Sequence, residues 1–175
     1  KALFYKKNWD LIAPSLVPTV LDALEGKGFP EGLNDTHIVV IPKVTNPELI
    51  TRFCPIGICN VVYKIISKVL ANRLKKILPR FISETQSGFV PGRQNTDNIV
   101  IFQEVIHTMR RTKGGKNYMA IKIDLEKADY RLRWNFIHKT LLEMALPVLI
   151  VNTIMECVQT ARMSILWNGE PTEKF

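Results

Sequence analysis

The chain has 175 residues, of which 46% are apolar, and 24 Lys or Arg outnumber 16 Asp or Glu to give a net charge of +8. That length suits one ordinary domain, or a piece of a larger one, with a real core. The charge favours a polyanionic partner such as nucleic acid or an acidic membrane surface. Cys54, Cys59 and Cys157 are odd in number and show neither CxxC spacing nor histidines at zinc-ligand intervals. Neither a disulfide framework nor a zinc site is indicated, which fits a reducing compartment. No apolar run approaches the length of a bilayer span and Lys1–Lys7 has no signal-peptide core, so the expectation is a soluble, intracellular protein of cytoplasm or nucleus with no membrane partner. Without an initiator Met, and stopping abruptly at Phe175, the chain reads as an excerpt from a longer protein.

In chain order, residues 8–25 place Trp9, Leu11, Ile12, Leu16, Val20, Leu21 and Leu24 at helical spacing before Gly26, Gly28 and Pro30 stop the pattern. Thr36–Pro42, THIVVIP, is β-branched and predicts a strand, followed by a polar loop through Pro47. Residues 58–78 predict the clearest helix, with Ile58, Val62, Ile65, Ile66, Val69, Leu70, Leu74 and Ile77 on one arc. On its other side Lys64, Lys68 and Lys75 fall within roughly 40° of one another. From Thr51 to Ser83 there are seven Lys or Arg residues and no acid; a solvated face and a phosphate-tracking face both fit such a patch. QSGFVPGRQNTDN, residues 86–98, is turn-rich, and Asn95 or Thr96 is placed to cap a helix to about Met109 that turns Ile99, Phe102, Val105, Ile106 and Met109 inward. A basic turn with Arg110, Arg111, Lys113 and Lys116 leads into an apolar run, Met119–Ile123, expected to be a strand. Two helices, 134–146 and 148–160, are expected to meet at Pro147, and a short strand, 164–168, to reach an Asn168-Gly169 turn. There is no internal repeat and no low-complexity tract.

The Met119–Ile123 run ends on Asp124. A carboxylate at the end of a buried strand needs a hydrogen-bonding or positive partner. One satisfied arrangement is a helix N-cap, with Asp124 accepting from the amides of Glu126 or Lys127. The other is a hard-cation ligand, since Mg²⁺ takes one or two carboxylates plus substrate phosphates.

The strings LNDTHIVVIPKV, ELITRFCPIGICNVVYKIISKVLANRLKKILP, ISETQSGFVPGRQNTDNIV, MAIKIDLEKADYRLRWNFI and SILWNGEPT follow one another across almost the whole chain. Together they resemble the reverse transcriptase of LINE-type (non-LTR) retrotransposons, most closely those of plants. The resemblance implies an α/β (α+β) fold: a partial right-hand polymerase, with residues 1–117 as fingers and N-terminal helices, 118–175 as an incomplete palm, and no thumb. It implies RNA template, DNA primer and deoxynucleotide triphosphates as partners and Mg²⁺ as cofactor. Asp124 matches the first metal-binding, catalytic aspartate of the palm. Lys43 matches a lysine that clamps triphosphate, with a solvated lysine after a strand as the plainer reading. Gln86, Phe89 and Arg93 match a segment near template and incoming nucleotide, where Arg93 could fork a phosphate and Phe89 packs beside the nucleotide. Lys64, Lys68, Lys75, Arg110, Arg111, Lys113 and Lys116 would follow nucleic-acid phosphates.

Three departures accompany the match. The family reads Ala-Tyr-Asp where this chain reads Ala128-Asp129-Tyr130. A one-residue shift rotates a side chain by about 100°, so Tyr130 is expected to leave the sugar pocket and Asp129 to face it. Cys54 stands where the family usually has an arginine, and Arg52, about 7 Å along an extended segment, is an incomplete substitute. The segment Met144–Ile150 lacks the family's usual glycine. The expectation is thus a retroelement reverse transcriptase fragment that is inactive alone, because two-metal chemistry needs a second carboxylate set. It would expose apolar surface where a missing palm and thumb dock, and so self-associate. A non-catalytic nucleic-acid-binding remnant and a decayed element fragment are the rivals, with a group II intron maturase a more distant relative.

Overall fold

Helix ends and turns in this chain are set by local chemistry that can be named. In the computed structural model, which describes residues 2–112, 118–125 and 128–175, helices α1 (Ala2–Lys7) and α2 (Trp9–Leu24) come first. Gly26 ends α2 at φ 79°. The Lys27 amide donates to the Asp22 carbonyl at 3.0 Å and the Gly26 amide to Ala23 at 3.3 Å, the paired bonds of a Schellman stop. A Cβ at Gly26 would lie 2.5 Å from Leu149 Cδ1, so both backbone sign and space require glycine there.

The chain divides into two compact units, residues 1–71 with 133–175, and residues 72–132. The expected partition at 117/118 was one of polymerase role, and the two units are a partition by contact, so the boundaries differ.

In the first unit four strands form one sheet in the order β2-β1-β3-β4: β1 (Asp35–Pro42), β2 (Phe53–Cys59), β3 (Arg162–Trp167) and β4 (Glu170–Pro171). β1 runs antiparallel to β2 and parallel to β3. Polar pairs fix the parallel register. Asp35 is paired with Arg162, and its carboxylate accepts from Arg162 Nε at 2.9 Å and from Lys174 Nζ at 2.6 Å. The Lys174 hydrogen bond, helped by Arg162, holds the Asp35 carboxyl below the usual range. Next along, His37 Nδ1 lies 2.8 Å from Ser164 Oγ. Asn168 and Gly169, at φ 51° and 89°, make the expected hairpin turn from β3 to β4.

β2 was not expected, and it corrects the helix predicted over 58–78. Pro55 and Gly57 disguise it, because both weaken a strand pattern. The edge position of β2 tolerates a proline that cannot donate to the ladder. Ile58 therefore pairs with His37 in the sheet, and α3 begins only at Val61, running to Lys75. Ile77 and Leu78 fall in a 3₁₀ turn region beyond it.

Helices α2, α3 and α6 (Val148–Gln159) share the core, in which Ala23, Leu33, Ile66, Leu70 and Cys157 are buried against one another with Val62, Tyr63 and Ile154 around them. The open carbonyl of Cys157 near the end of α6 accepts from buried Asn34 Nδ2 at 2.9 Å and from Tyr63 Oη at 3.2 Å. These side chains satisfy a helix end that would otherwise be orphaned. Burial pushes the Cys157 thiol up to about 11, so it stays protonated and behaves as a core residue. The loop after α2 is tied to α6 by the Phe29 amide, which donates to Glu156 Oε1 at 2.8 Å.

α5 (Trp134–Glu143) packs against α6. The chain leaves α5 through Ala145 at φ 51°, a left-handed position where a glycine would be unstrained. Ala145→Gly is therefore expected to stabilise the protein by about 0.5–1 kcal/mol, the left-handed strain on alanine exceeding the extra chain entropy of glycine. A rise in urea midpoint at unchanged slope would report it.

The second unit holds the end of α3, a 3₁₀ turn at Leu78–Arg80, α4 (Asn95–Arg111) and a 3₁₀ turn at Ala128–Arg131. Two expectations fail here. Residues 118–125 form no ladder with any described strand, and Met119, Ile121, Ile123 and Leu125 are all largely exposed. A β-branched apolar run becomes a strand only when a neighbour takes its amides and carbonyls. Likewise α4 forms where expected, but none of its residues is buried, and Ile99, Phe102 and Val105 face solvent. Only Ile106 and Met109 of the expected inner face are partly covered. Among the described residues no helix is long and apolar enough to cross a membrane.

Candidate nucleotide and nucleic-acid interface

The β1–β2 hairpin carries the first group of site residues. Pro42 pairs with Phe53 at its loop end, and one step further the Lys43 amide donates to the Arg52 carbonyl at 2.8 Å. Two cations that are nine residues apart in sequence thus sit on adjacent backbones, and both are exposed. Cys54, paired with Ile41, is exposed on the same hairpin. Reading Arg52 only along its own strand, as the 7 Å estimate did, misses its approach to Lys43 across the hairpin. A strand at 53–59 was the signal that would have shown it.

On α3, Ile66 and Leu70 are buried while Lys64 and Lys68 are exposed, so helical geometry separates a packing face from a positive one. Lys64 and Lys68, with Ile58, Val61, Ile65 and Val69, line an open groove of about 460 Å³. Its floor is apolar and its charged groups are both cationic. Lys75, the last residue of α3, is exposed in the second unit.

In the second unit the turn before α4 is organised by Arg93. Its Nη1 donates to the carbonyls of Ser83 and of Gln86, the latter at 2.6 Å, and its Nη2 donates to Ile82 O at 3.4 Å. The guanidinium expected to fork a phosphate is half-buried and faces backbone carbonyls of its own loop. Gln86 is exposed, Val90 is buried, and Phe89 points wholly outward. Asn98, one turn into α4, donates to Thr85 O at 2.8 Å and to Ser87 Oγ at 3.0 Å, anchoring the same turn. Asn98 was not singled out from the sequence, although an Asn in a first helical turn after a Ser/Thr-rich loop is a recognisable signal. Arg110 and Arg111 are exposed at the end of α4.

Asp124 is exposed at the end of the unpaired 118–125 run. Lys113 and Lys116, the amides of Glu126 and Lys127 that would make Asp124 an N-cap, and the side chains of Asp129 and Tyr130 lie outside the described residues. Among the described residues no three His, Cys, Asp or Glu side chains cluster to hold a metal. Asp124 supplies one hard carboxylate, whereas a two-metal site needs several. The described donors do not fit a pair of Mg²⁺ ions.

Residues 41–174, well over half of the chain, match the reverse transcriptase (RNA-dependent DNA polymerase) family. The chain belongs to that family. The matched span starts beside Lys43 and includes β2, α3, the Arg93 turn, Asp124 and the β3–β4 hairpin, so this reverse transcriptase domain carries every candidate residue inside the family's own region. The mixed architecture of a four-stranded sheet and helices is that of a partial reverse transcriptase fold. The chain is also similar to the "Transposon TX1 uncharacterized 149 kDa protein" of Xenopus laevis, at 29% identity over 138 residues, 79% of this chain and 10% of that protein. It thus spans about a tenth of the length of that relative.

Proposed function

We propose that this chain is the fingers and first part of the palm of an RNA-directed DNA polymerase from a LINE-type retroelement, and that on its own it holds nucleic acid and nucleotide without extending a primer. The family match over 41–174 carries the reading, and the transposon relative supports a mobile-element source. Lys43 and Arg52 at the hairpin end supply two adjacent cations for a triphosphate. Lys64 and Lys68, in a sequence segment without acids from Thr51 to Ser83, supply phosphate contacts in the first unit, and Lys75 supplies one in the second. Asp124 stands where a Mg²⁺ ligand belongs in the family's divalent-metal chemistry, with too few partners among the described residues for transfer.

Binding of a labelled primer–RNA template to the chain, followed by fluorescence anisotropy across KCl concentrations, tests the nucleic-acid part. The logarithm of the affinity is expected to fall linearly with that of salt, and Lys64→Ala with Lys68→Ala to flatten the slope by about two. Asp124→Asn should leave binding unchanged. Affinity that ignores salt, or a slope untouched by the lysine changes, contradicts the assignment of that face.

A further inference from the structure

Helices α5 and α6 pack side by side in the first unit, and an open cleft of about 450 Å³ runs between them. α5 contributes Asn135 and His138, α6 contributes Asn152, Glu156 and Gln159, and buried Met155 forms the floor. Spacings of three, four and seven residues line side chains up along one face of a helix. Thr160 closes the end, its hydroxyl donating to Glu156 O at 2.7 Å and accepting from Asn34 Nδ2 at 3.0 Å. Glu156 is the one carboxylate, and no Lys or Arg borders the cleft. A second groove of about 300 Å³ shares Glu156 and Thr160 and continues past Glu31, Asp35 and Arg162. Arg162 and Lys174 already occupy Asp35, which leaves the Glu31 side chain, 92% exposed, as the outward charge.

Other carboxamides hold the fold together, Asn34 at the end of α6 and Asn98 at the turn before α4. Those of Asn135, Asn152 and Gln159 are exposed and take no protein partner among the described residues. A carboxamide offers a donor and an acceptor side by side, the complement of a peptide group. Asn152 and Gln159 are about 10.5 Å apart by helical rise, the length of about three residues of extended chain. From this geometry we propose that the α5–α6 cleft is a docking site for an extended, Lys- or Arg-bearing segment of a partner protein, its backbone paired with the carboxamides and a cationic side chain set against Glu156. Glu31 and the negative end of α6 favour the same sign of charge. A nucleic-acid strand is disfavoured, because no cation in the cleft meets its phosphates. The cleft shares no residue with the groove at Lys64 and Lys68, so peptide and nucleic-acid binding are separable.

The test is fluorescence anisotropy on the full chain with a labelled octapeptide of alternating Lys and Ser, against one of alternating Glu and Ser. The Lys peptide is expected to bind, more weakly as salt rises, and the Glu peptide not to bind. Asn152→Ala and Gln159→Ala should each weaken binding about three- to tenfold, the worth of a lost hydrogen bond, at unchanged urea midpoint. Glu156→Gln, which keeps an acceptor for the Phe29 amide, should weaken it about tenfold and flatten the salt dependence. Affinity for labelled RNA should be the same in every variant. Failure of the Lys peptide to bind at low salt, equal binding of the Glu peptide, or affinity indifferent to all three changes overturns the proposal. RNA affinity lowered by Asn152→Ala would assign the cleft to nucleic acid, and sedimentation showing self-association that Asn152→Ala abolishes would assign it to a second copy; either result also overturns it.

Discussion

Ile66→Ala lowers stability by about 2–5 kcal/mol, the cost of deleting a buried aliphatic side chain and leaving part of its volume empty. Ile66 is 0% exposed and sits where α2, α3 and α6 meet, against Ala23, Leu33, Leu70 and Cys157. Three helices held by their ends and by the sheet cannot easily close the gap, so the loss should fall in the upper part of that range. The exposed Ile50, at 85%, is the matched control, and Ile50→Ala should change stability by no more than about 0.5 kcal/mol. Urea unfolding followed by tryptophan fluorescence measures both. The consequence reaches function, because Ile66 anchors the helix that carries Lys64 and Lys68 on its other face. Equal losses for the two variants would mean that α3 is not packed as described.

Lys43→Ala and Arg52→Ala should each lower affinity for a fluorescent deoxynucleotide triphosphate by about 10–100-fold, the worth of a hydrogen bond to a charged group. The Lys43 amide bonds to the Arg52 carbonyl at 2.8 Å, so their changes should be coupled when combined. Arg52→Lys should recover only part of the loss, since an ammonium keeps the charge without the planar fork. Cys54→Arg, which restores the residue usual in the family, should tighten binding. Affinity unaltered by both alanine changes would remove the hairpin end from the triphosphate site. Fluorescence titration at low salt reads the four single variants and the combined one.

What the sequence made legible was periodic or locally chemical. α2, α3, α5 and α6 announced themselves by apolar spacing, β1 by its β-branched run, and the β3–β4 turn by Asn168-Gly169. What stayed hidden depended on a partner elsewhere. β2 carries Pro55 and Gly57, and only the neighbouring β1 makes it a strand. Met119–Ile123 has the composition of a strand without a described neighbour, so its apolar residues stay exposed. α4 has a helical pattern whose inner face is covered only in part, at Ile106 and Met109. The site divides in the same way. Lys43, Lys64 and Lys68 could be placed from pattern and resemblance, whereas the approach of Arg52 to Lys43 required the hairpin. Arg93 was expected to fork a phosphate, whereas its hydrogen-bond partners are carbonyls of residues 82–86, which only the fold of that turn brings to it.

The most direct test of the account is primer extension on an RNA template with Mg²⁺ and deoxynucleotides, run on this chain and its Asp124→Asn variant with nucleic-acid binding read in the same samples. The account predicts salt-sensitive binding, equal in the two proteins, and no extension by either. Extension by the native chain that disappears in Asp124→Asn would contradict it, showing that the residues present already assemble a working metal site.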